Sequence, residues 1–180
     1  MLAAQASPER VGLAVHIRDE RKTDRHFVLD TWRSSSRLSR SARRLSAETH
    51  RAVFERVVVS GILAQPDTKV VVACDADDQD VILAWVCYTP GIPVLHFGYT
   101  RPDLGSLKLR RQGLFAMLVG AMGVRDGGTL AYTGRPQERA HPQGRDLGVE
   151  DALVDAAMQR KIAVRYVSPA SFLGRGGVHV

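Results

Sequence analysis

Four consecutive residues, Arg110, Arg111, Gln112 and Gly113, have the clearest capacity for chemistry, because the apolar run Leu114-Phe115-Ala116-Met117-Leu118 follows them at once. A basic, glycine-bearing turn that opens directly into a helix offers an anion guanidinium charge, backbone N–H groups that helix geometry leaves without partners, and the positive end of the helix dipole. A second candidate is His96, in Val94-Leu-His-Phe-Gly-Tyr-Thr100. Its imidazole has the ordinary pKa suited to taking a proton near neutrality. Tyr99 stands at an odd spacing from it, so a regular strand would present the two on opposite faces, one of them toward a cleft. A third feature is the arginine cluster Arg33, Arg37, Arg40, Arg43, Arg44 and Arg51. Guanidiniums grouped in this way suit phosphates, and the few aromatics among them argue against stacking on single strands. The aspartates between Asp75 and Asp80 lack the glycine and the glutamate of an EF-hand loop, so a solvated hairpin tip and no metal site are expected.

The elements that must position these residues follow from periodicity. Leu13 to Arg18 alternates as a first strand, and Thr23 to Arg33 reads as a helix with Phe27, Val28, Thr31 and Trp32 on one stripe. Ser34 to Arg44 is either a polar loop or a frayed basic helix. Ser46 is placed to cap a second helix, with Val53, Phe54, Val57, Val58, Gly61 and Ile62 repeating at the helical period. Lys69 to Cys74 is a β-branched run of the kind buried on both faces of a sheet, Val81 to Tyr88 returns beside it, and Val94 to Thr100 follows the Pro90-Gly91 turn. Arg101 to Leu109 is a loop. The next helix carries Leu114, Met117, Leu118, Ala121 and Met122 on its apolar stripe, with Phe115 joining the edge of that face as a packing residue. Thr129 to Thr133 is a short strand, residues 134–148 a polar loop, Glu150 to Arg160 a helix and Ile162 to Val167 the last strand. The resulting division is a tail over 1–12, one mixed α/β domain over 13–167 and a loosely held tail over 168–180.

Size and charge bound the rest. A chain of 180 residues fits a single domain, with 44% hydrophobic and 24% charged residues, as in ordinary globular proteins. No stretch approaches the roughly 18 apolar residues of a membrane span, and Met1 to Gly12 lacks the apolar core of a secretion signal. Cys74 and Cys87, both in strand-like runs, suggest neither a disulfide scaffold nor zinc, and a reducing cytoplasm is the default expectation. The net charge of +6 favours polyanionic partners: nucleic acid, a nucleotide cofactor, or both.

The element order β-α-α-β-β-β-α-β-α-β, with Arg110-Arg111-Gln112-Gly113-Leu114-Phe115 after the fourth strand, resembles the GNAT (GCN5-related) N-acetyltransferase superfamily. The six residues look like that family's pyrophosphate-binding signature, Gln/Arg-x-x-Gly-x-Gly/Ala. With Trp32, Ser34-Ser-Ser-Arg37 and Val81-Ile-Leu-Ala-Trp85, the whole is similar to GNAT-like proteins of bacteriophages. The resemblance implies a central, mostly antiparallel sheet flanked by helices and acyl transfer from acetyl-CoA or another acyl-CoA to an amine-bearing acceptor. It assigns cofactor binding to Tyr99, Thr100, Arg110, Arg111, Gln112, Gly113, Leu114 and Phe115, with the thioester oxygen held by a backbone N–H near Tyr99 or Thr100. Gly98 is then the expected site of a bulge that splays the strand from its neighbour. His96 and Tyr99 are the catalytic candidates, with Tyr132 and Tyr166 as alternatives for protonating the leaving thiolate. Two departures stand out: Phe115 occupies a Gly/Ala position, and the loop Arg101 to Leu109 is long. The alternative is a nucleic-acid-binding or DNA-base-modifying GNAT-like protein that uses Arg37, Arg40, Arg43 and Arg44.

Overall fold

The computed structural model of the protein describes residues 13–39, 42–91, 93–109, 112–125, 127–133 and 163–166. In chain order the elements are β1 (Val15–Asp19), α1 (Arg25–Arg37), α2 (Ala47–Phe54), β2 (Lys69–Asp75), β3 (Ile82–Thr89), β4 (Val94–Thr100), the short strands β5 (Asp103–Leu104) and β6 (Leu107–Lys108), α3 (Leu114–Ala121), β7 (Thr129–Tyr132) and β8 (Ala163–Tyr166). Six strands form one sheet in the order β1-β2-β3-β4-β7-β8, and β5-β6 is a separate hairpin inside the stretch expected as a loop. The pairs β1–β2, β2–β3 and β3–β4 are antiparallel, whereas β4–β7 and β7–β8 are parallel. This is the mixed, mostly antiparallel sheet flanked by helices expected from the sequence. The tails, the loop over 134–148 and the helix expected over 150–160 lie outside the described residues.

The two faces of the sheet have different chemistry. On one, α1 and α2 bring Val28, Trp32, Phe54, Val58 and Ile62 against Val70, Val72, Cys74, Ile82, Trp85 and Cys87. Trp32 stacks on Phe97 with centroids 5.0 Å apart, and Trp85 Nε1 donates to Thr31 Oγ1 at 3.0 Å, so the buried indole is satisfied. On the other face, α3 packs Leu114, Phe115, Leu118, Val119 and Met122 onto Val71, Ala73, Leu83, Val86 and Leu95.

Local chemistry explains where the helices begin and end. Thr49 N–H donates to Ser46 Oγ at 3.0 Å, the expected N-cap of α2. Beyond Phe54 the helix continues over Glu55–Ile62 with the wider π-helical bonding, as in Leu63 N–H to the Val58 carbonyl at 2.8 Å. Helix α1 runs through the serines as far as Arg37, because Ser36 Oγ returns its proton to the Arg33 carbonyl at 2.8 Å instead of competing with the helix. A short 3₁₀ turn, Ala42–Arg44, then leads toward α2.

The stripe on α3 is rotated from the expected one. Met117 is 43% exposed and Ala121 is also outside, while Phe115, at 6%, lies inside the core. The reason is a close approach of α3 to the sheet: a Cβ at Gly98 would collide with Cε2 of the Phe115 ring. The glycine makes a notch in β4 and the phenyl ring fills it. The bulge, moreover, is not at Gly98. Tyr88 pairs with Leu95 and Cys87 with Phe97, which leaves His96 as the extra residue in β4.

Candidate functional site

The parallel strands β4 and β7 are joined only at Val94–Ala131 and Leu95–Tyr132, closed by Thr133 N–H to the Leu95 carbonyl at 2.9 Å. Past Leu95, β4 pairs with β3 alone among the described residues, so Phe97 to Thr100 form an open edge. Behind this edge lies the start of α3. Gly113 caps it with φ +77°, a left-handed conformation that glycine adopts without strain, and no side chain among the described residues caps the N-terminus. Met117 N–H is the first to find an intrahelical carbonyl, that of Gly113 at 3.0 Å. The N–H groups of Leu114, Phe115 and Ala116 therefore lack helical partners.

Leu114 and Phe115 both turn their side chains into the core, which leaves backbone as the surface offered at this helix end. The Phe115–Gly98 contact ties the helix end to the open strand, on the face opposite to the Tyr99 side chain. Gln112 Nε2 donates to the Lys108 carbonyl at 3.1 Å, which commits the amide to its own loop. Arg110 and Arg111 lie outside the described residues.

The structure corrects the expectation for His96. The bulge places it beside neither Phe97 nor Tyr99, both of which face α1, and its ring is 3% exposed. Its Nε2 is 2.9 Å from Thr89 Oγ1 and its Nδ1 is 3.1 Å from Thr133 Oγ1. Burial lowers its pKa to about 4. An imidazole with both nitrogens engaged, closed to solvent and weakly basic is a clamp across β3, β4 and β7, not a base offered to an amine. Thr89 and Thr133 are partners that nothing in the sequence singles out.

Tyr99 is half-buried on the α1 face. Its ring meets Phe27 edge-on at 5.9 Å and stacks beside Trp85 at 6.5 Å, and its hydroxyl makes no hydrogen bond among the described residues. Arg101, just past the end of β4, holds its guanidinium 5.5 Å from the centroid of Phe27. Phe27, Phe97 and Arg101 thus belong to the same wall as Tyr99. The bulge hides Phe97 from sequence reasoning, because strict alternation groups it with Leu95. Of the other tyrosines, Tyr132 packs toward the α3 face, and the side chain of Tyr166 lies outside the described residues.

Of the arginine cluster, Arg33, Arg37, Arg43, Arg44 and Arg51 are all exposed, and Arg40 lies outside the described residues. They stand on α1, α2 and the turn between them, apart in sequence from the glycine turn. The described residues contain no group of three or more His, Cys, Asp or Glu able to hold a metal ion. None of the described helices is long and apolar enough to cross a membrane.

No family model and no curated protein matches the sequence. Several solved structures are similar to the chain. A possible acetyltransferase from Clostridium difficile 630 is 17% identical, with a TM-score of 0.39, over 61% of this chain and 68% of that one. An aminoglycoside N-acetyltransferase solved with CoA is 14% identical, with a TM-score of 0.37, over 95% and 87% of the two chains. A ribosomal-protein-alanine N-acetyltransferase from Brucella melitensis biovar Abortus 2308 is 10% identical, with a TM-score of 0.38, over 93% of each chain. Likenesses as distant as these do not assign the chain to a family.

Proposed function

We propose that the chain is an acyl-CoA-dependent N-acyltransferase of the GNAT type, in the simplest case moving an acetyl group from acetyl-CoA to an amine. The observation that carries this reading is the open half of β4 with an uncapped, glycine-led helix end packed directly behind it. Bound acyl-CoA would supply an acyl group activated as a thioester. The fit is favourable: among the described residues the N–H groups of Leu114, Phe115 and Ala116 at the helix end have no helical partner, and the Phe115 ring is drawn away into the Gly98 notch. Those N–H groups would hold the pyrophosphate, and a backbone N–H at Tyr99 or Thr100 would steady negative charge on the thioester oxygen. The Tyr99 hydroxyl, without a hydrogen bond among the described residues, is the side-chain group on this strand that would hand over a proton. His96 serves by fixing β4 to β7 at the point where they part.

Calorimetry should show acetyl-CoA binding with a Kd in the micromolar range, near −8 kcal/mol. Gly113→Asp should abolish it in a protein that still melts cooperatively, since the change puts a carboxylate where a phosphate would sit. Absence of both heat and thermal shift at millimolar acetyl-CoA defeats the reading.

A further inference from the structure

Most described basic side chains either reach a carboxylate or, like Lys22, Arg56, Lys69, Arg125 and Arg165, stand exposed at separate places along the chain with no ion pair among the described residues. Arg18, Arg21, Arg25 and Lys108 each reach a carboxylate, on Asp24, Asp80, Glu20 and Asp103 respectively. Around the junction of α1 and α2 the pattern changes. Arg33 shares Asp30 at 2.7 Å, but Arg37, Arg43, Arg44 and Arg51 make no ion pair among the described residues, and all are exposed. Arg33 and Arg37 are four residues apart and so share one side of α1. Ser36, between them, is 3.1 Å from His50 Nε2, which fixes that side against α2 immediately before Arg51. Arg43 and Arg44 fill the 3₁₀ turn that joins the helices. Burial, together with the nearby guanidiniums of Arg37 and Arg33, lowers the pKa of His50, as expected where positive charge converges.

We infer that this junction is a binding surface for the phosphate backbone of double-stranded nucleic acid, read without regard to sequence. The charge is carried by arginine throughout, whose planar fork grips phosphate in two places at once. No aromatic side chain is exposed among these residues, so there is no platform for unstacked bases. The apolar stripes of α1 and α2 are spent on the sheet, as Val28, Trp32, Phe54, Val58 and Ile62 show. Of the large apolar side chains at the junction only Leu38, at 61%, and Val53, at 37%, are exposed among the described residues, too few for either helix to lie in a bilayer, which favours nucleic acid over an anionic membrane. The surface is independent of the acyl-transfer reading.

The test is fluorescence anisotropy with a labelled 20-base-pair DNA of arbitrary sequence, titrated across a salt series. Wild-type protein should bind at 50 mM salt, with affinity falling steeply as salt rises. Replacing Arg37, Arg43 and Arg44 together by Ser should flatten the plot of log affinity against log salt by up to about 0.9 for each phosphate no longer neutralised. Replacing Arg21 and Arg25, whose charges are already matched, should leave that slope nearly unchanged. The inference is overturned if wild type ignores the duplex at 50 mM salt, or if both variants lose slope equally, since net charge would then suffice. It is also overturned if the triple variant keeps its DNA binding but sheds vesicles containing phosphatidylserine. Calorimetric affinity for acetyl-CoA should be the same in all three proteins.

Discussion

The corner between β1 and α1 and the junction between α1 and α2 are both rich in arginine, yet they use it in opposite ways. At the corner, Arg18 is 10% exposed and forms a forked pair with Asp24, itself 5% exposed, at 2.6 and 3.2 Å. The same guanidinium also donates to the Gln79 carbonyl at 2.9 Å, and Arg21 N–H donates to Asp24 at 2.7 Å. At the junction the guanidiniums are exposed, and of the described ones only Arg33 reaches a carboxylate, that of Asp30. Charge that is buried must be answered inside the protein, because its lost hydration costs more than one loose pairing returns. Charge left unanswered at the surface costs little and can be answered by something else. The pairing of an arginine is thus a better guide to its purpose than its presence.

Four substitutions would break or sharpen this contrast. The largest effect is expected for Arg18→Met, which strands a buried carboxylate: urea denaturation should show a loss of about 3–5 kcal/mol. Burial works to raise the Asp24 pKa, but the bonds from Arg18 and from Arg21 N–H outweigh it and hold the carboxyl below its ordinary value. The wild-type protein should therefore keep this contribution above about pH 4 and lose it as pH falls further.

Combining Arg18→Met with Asp24→Leu should recover most of the loss, ending about 1–2 kcal/mol below wild type, because no charge is left unpaired. A double variant as weak as the single one would mean that the geometry, not the charge, is what the corner requires.

Glu20→Gln should be milder, within about 1 kcal/mol, because its partner Arg25, 2.9 Å away, is largely open to solvent. Burial raises the Glu20 pKa, so this carboxyl favours the folded state more as pH falls from neutrality toward the ordinary glutamate range. The Gln variant should lack that upward trend in thermal melts below about pH 6. A loss as large as that of Arg18→Met would place Glu20 with Asp24 as a committed partner.

The smallest effect belongs to the junction: Arg37→Ser should change stability by no more than about 0.5 kcal/mol in the same urea experiment. A larger cost would show that this arginine is holding the fold.

The strands and helix starts are legible because their signals are local. Lys69 to Cys74 announces itself by branching at Cβ, Ser46 by its hydroxyl before a helical stripe, and Gly113 by its place between a basic turn and an apolar run. Phe115 is recognisable as a packing residue, but its central place on α3 is not, since it depends on the notch at Gly98, a contact that periodicity cannot register. The reach of α1 through Ser34 to Arg37 is open to two readings for a similar reason: serine side chains can compete with the helix, and that Ser36 instead bonds back to the Arg33 carbonyl is not visible in the sequence. In the candidate site, β4 and the turn before α3 can be read, whereas the role of His96 cannot. Its two hydroxyl partners come from positions 7 and 37 residues away, and the extra residue in β4 leaves no mark on the pattern of apolar side chains.

That extra residue has a consequence of its own. On either side of it, Leu95 faces α3 and Phe97 faces α1, as two consecutive residues of an ordinary strand would. The chain could therefore be shortened by one at His96 without turning any later side chain of β4 to the wrong face. Most deletions within a strand invert everything downstream; this one would restore a regular ladder while removing the imidazole and its tethers, those to Thr89 and Thr133 among them. His96 is in effect a removable rivet. Two otherwise similar chains that differ by a single gap at this position would share every face of the sheet and differ in how firmly β4 and β7 are held where they diverge.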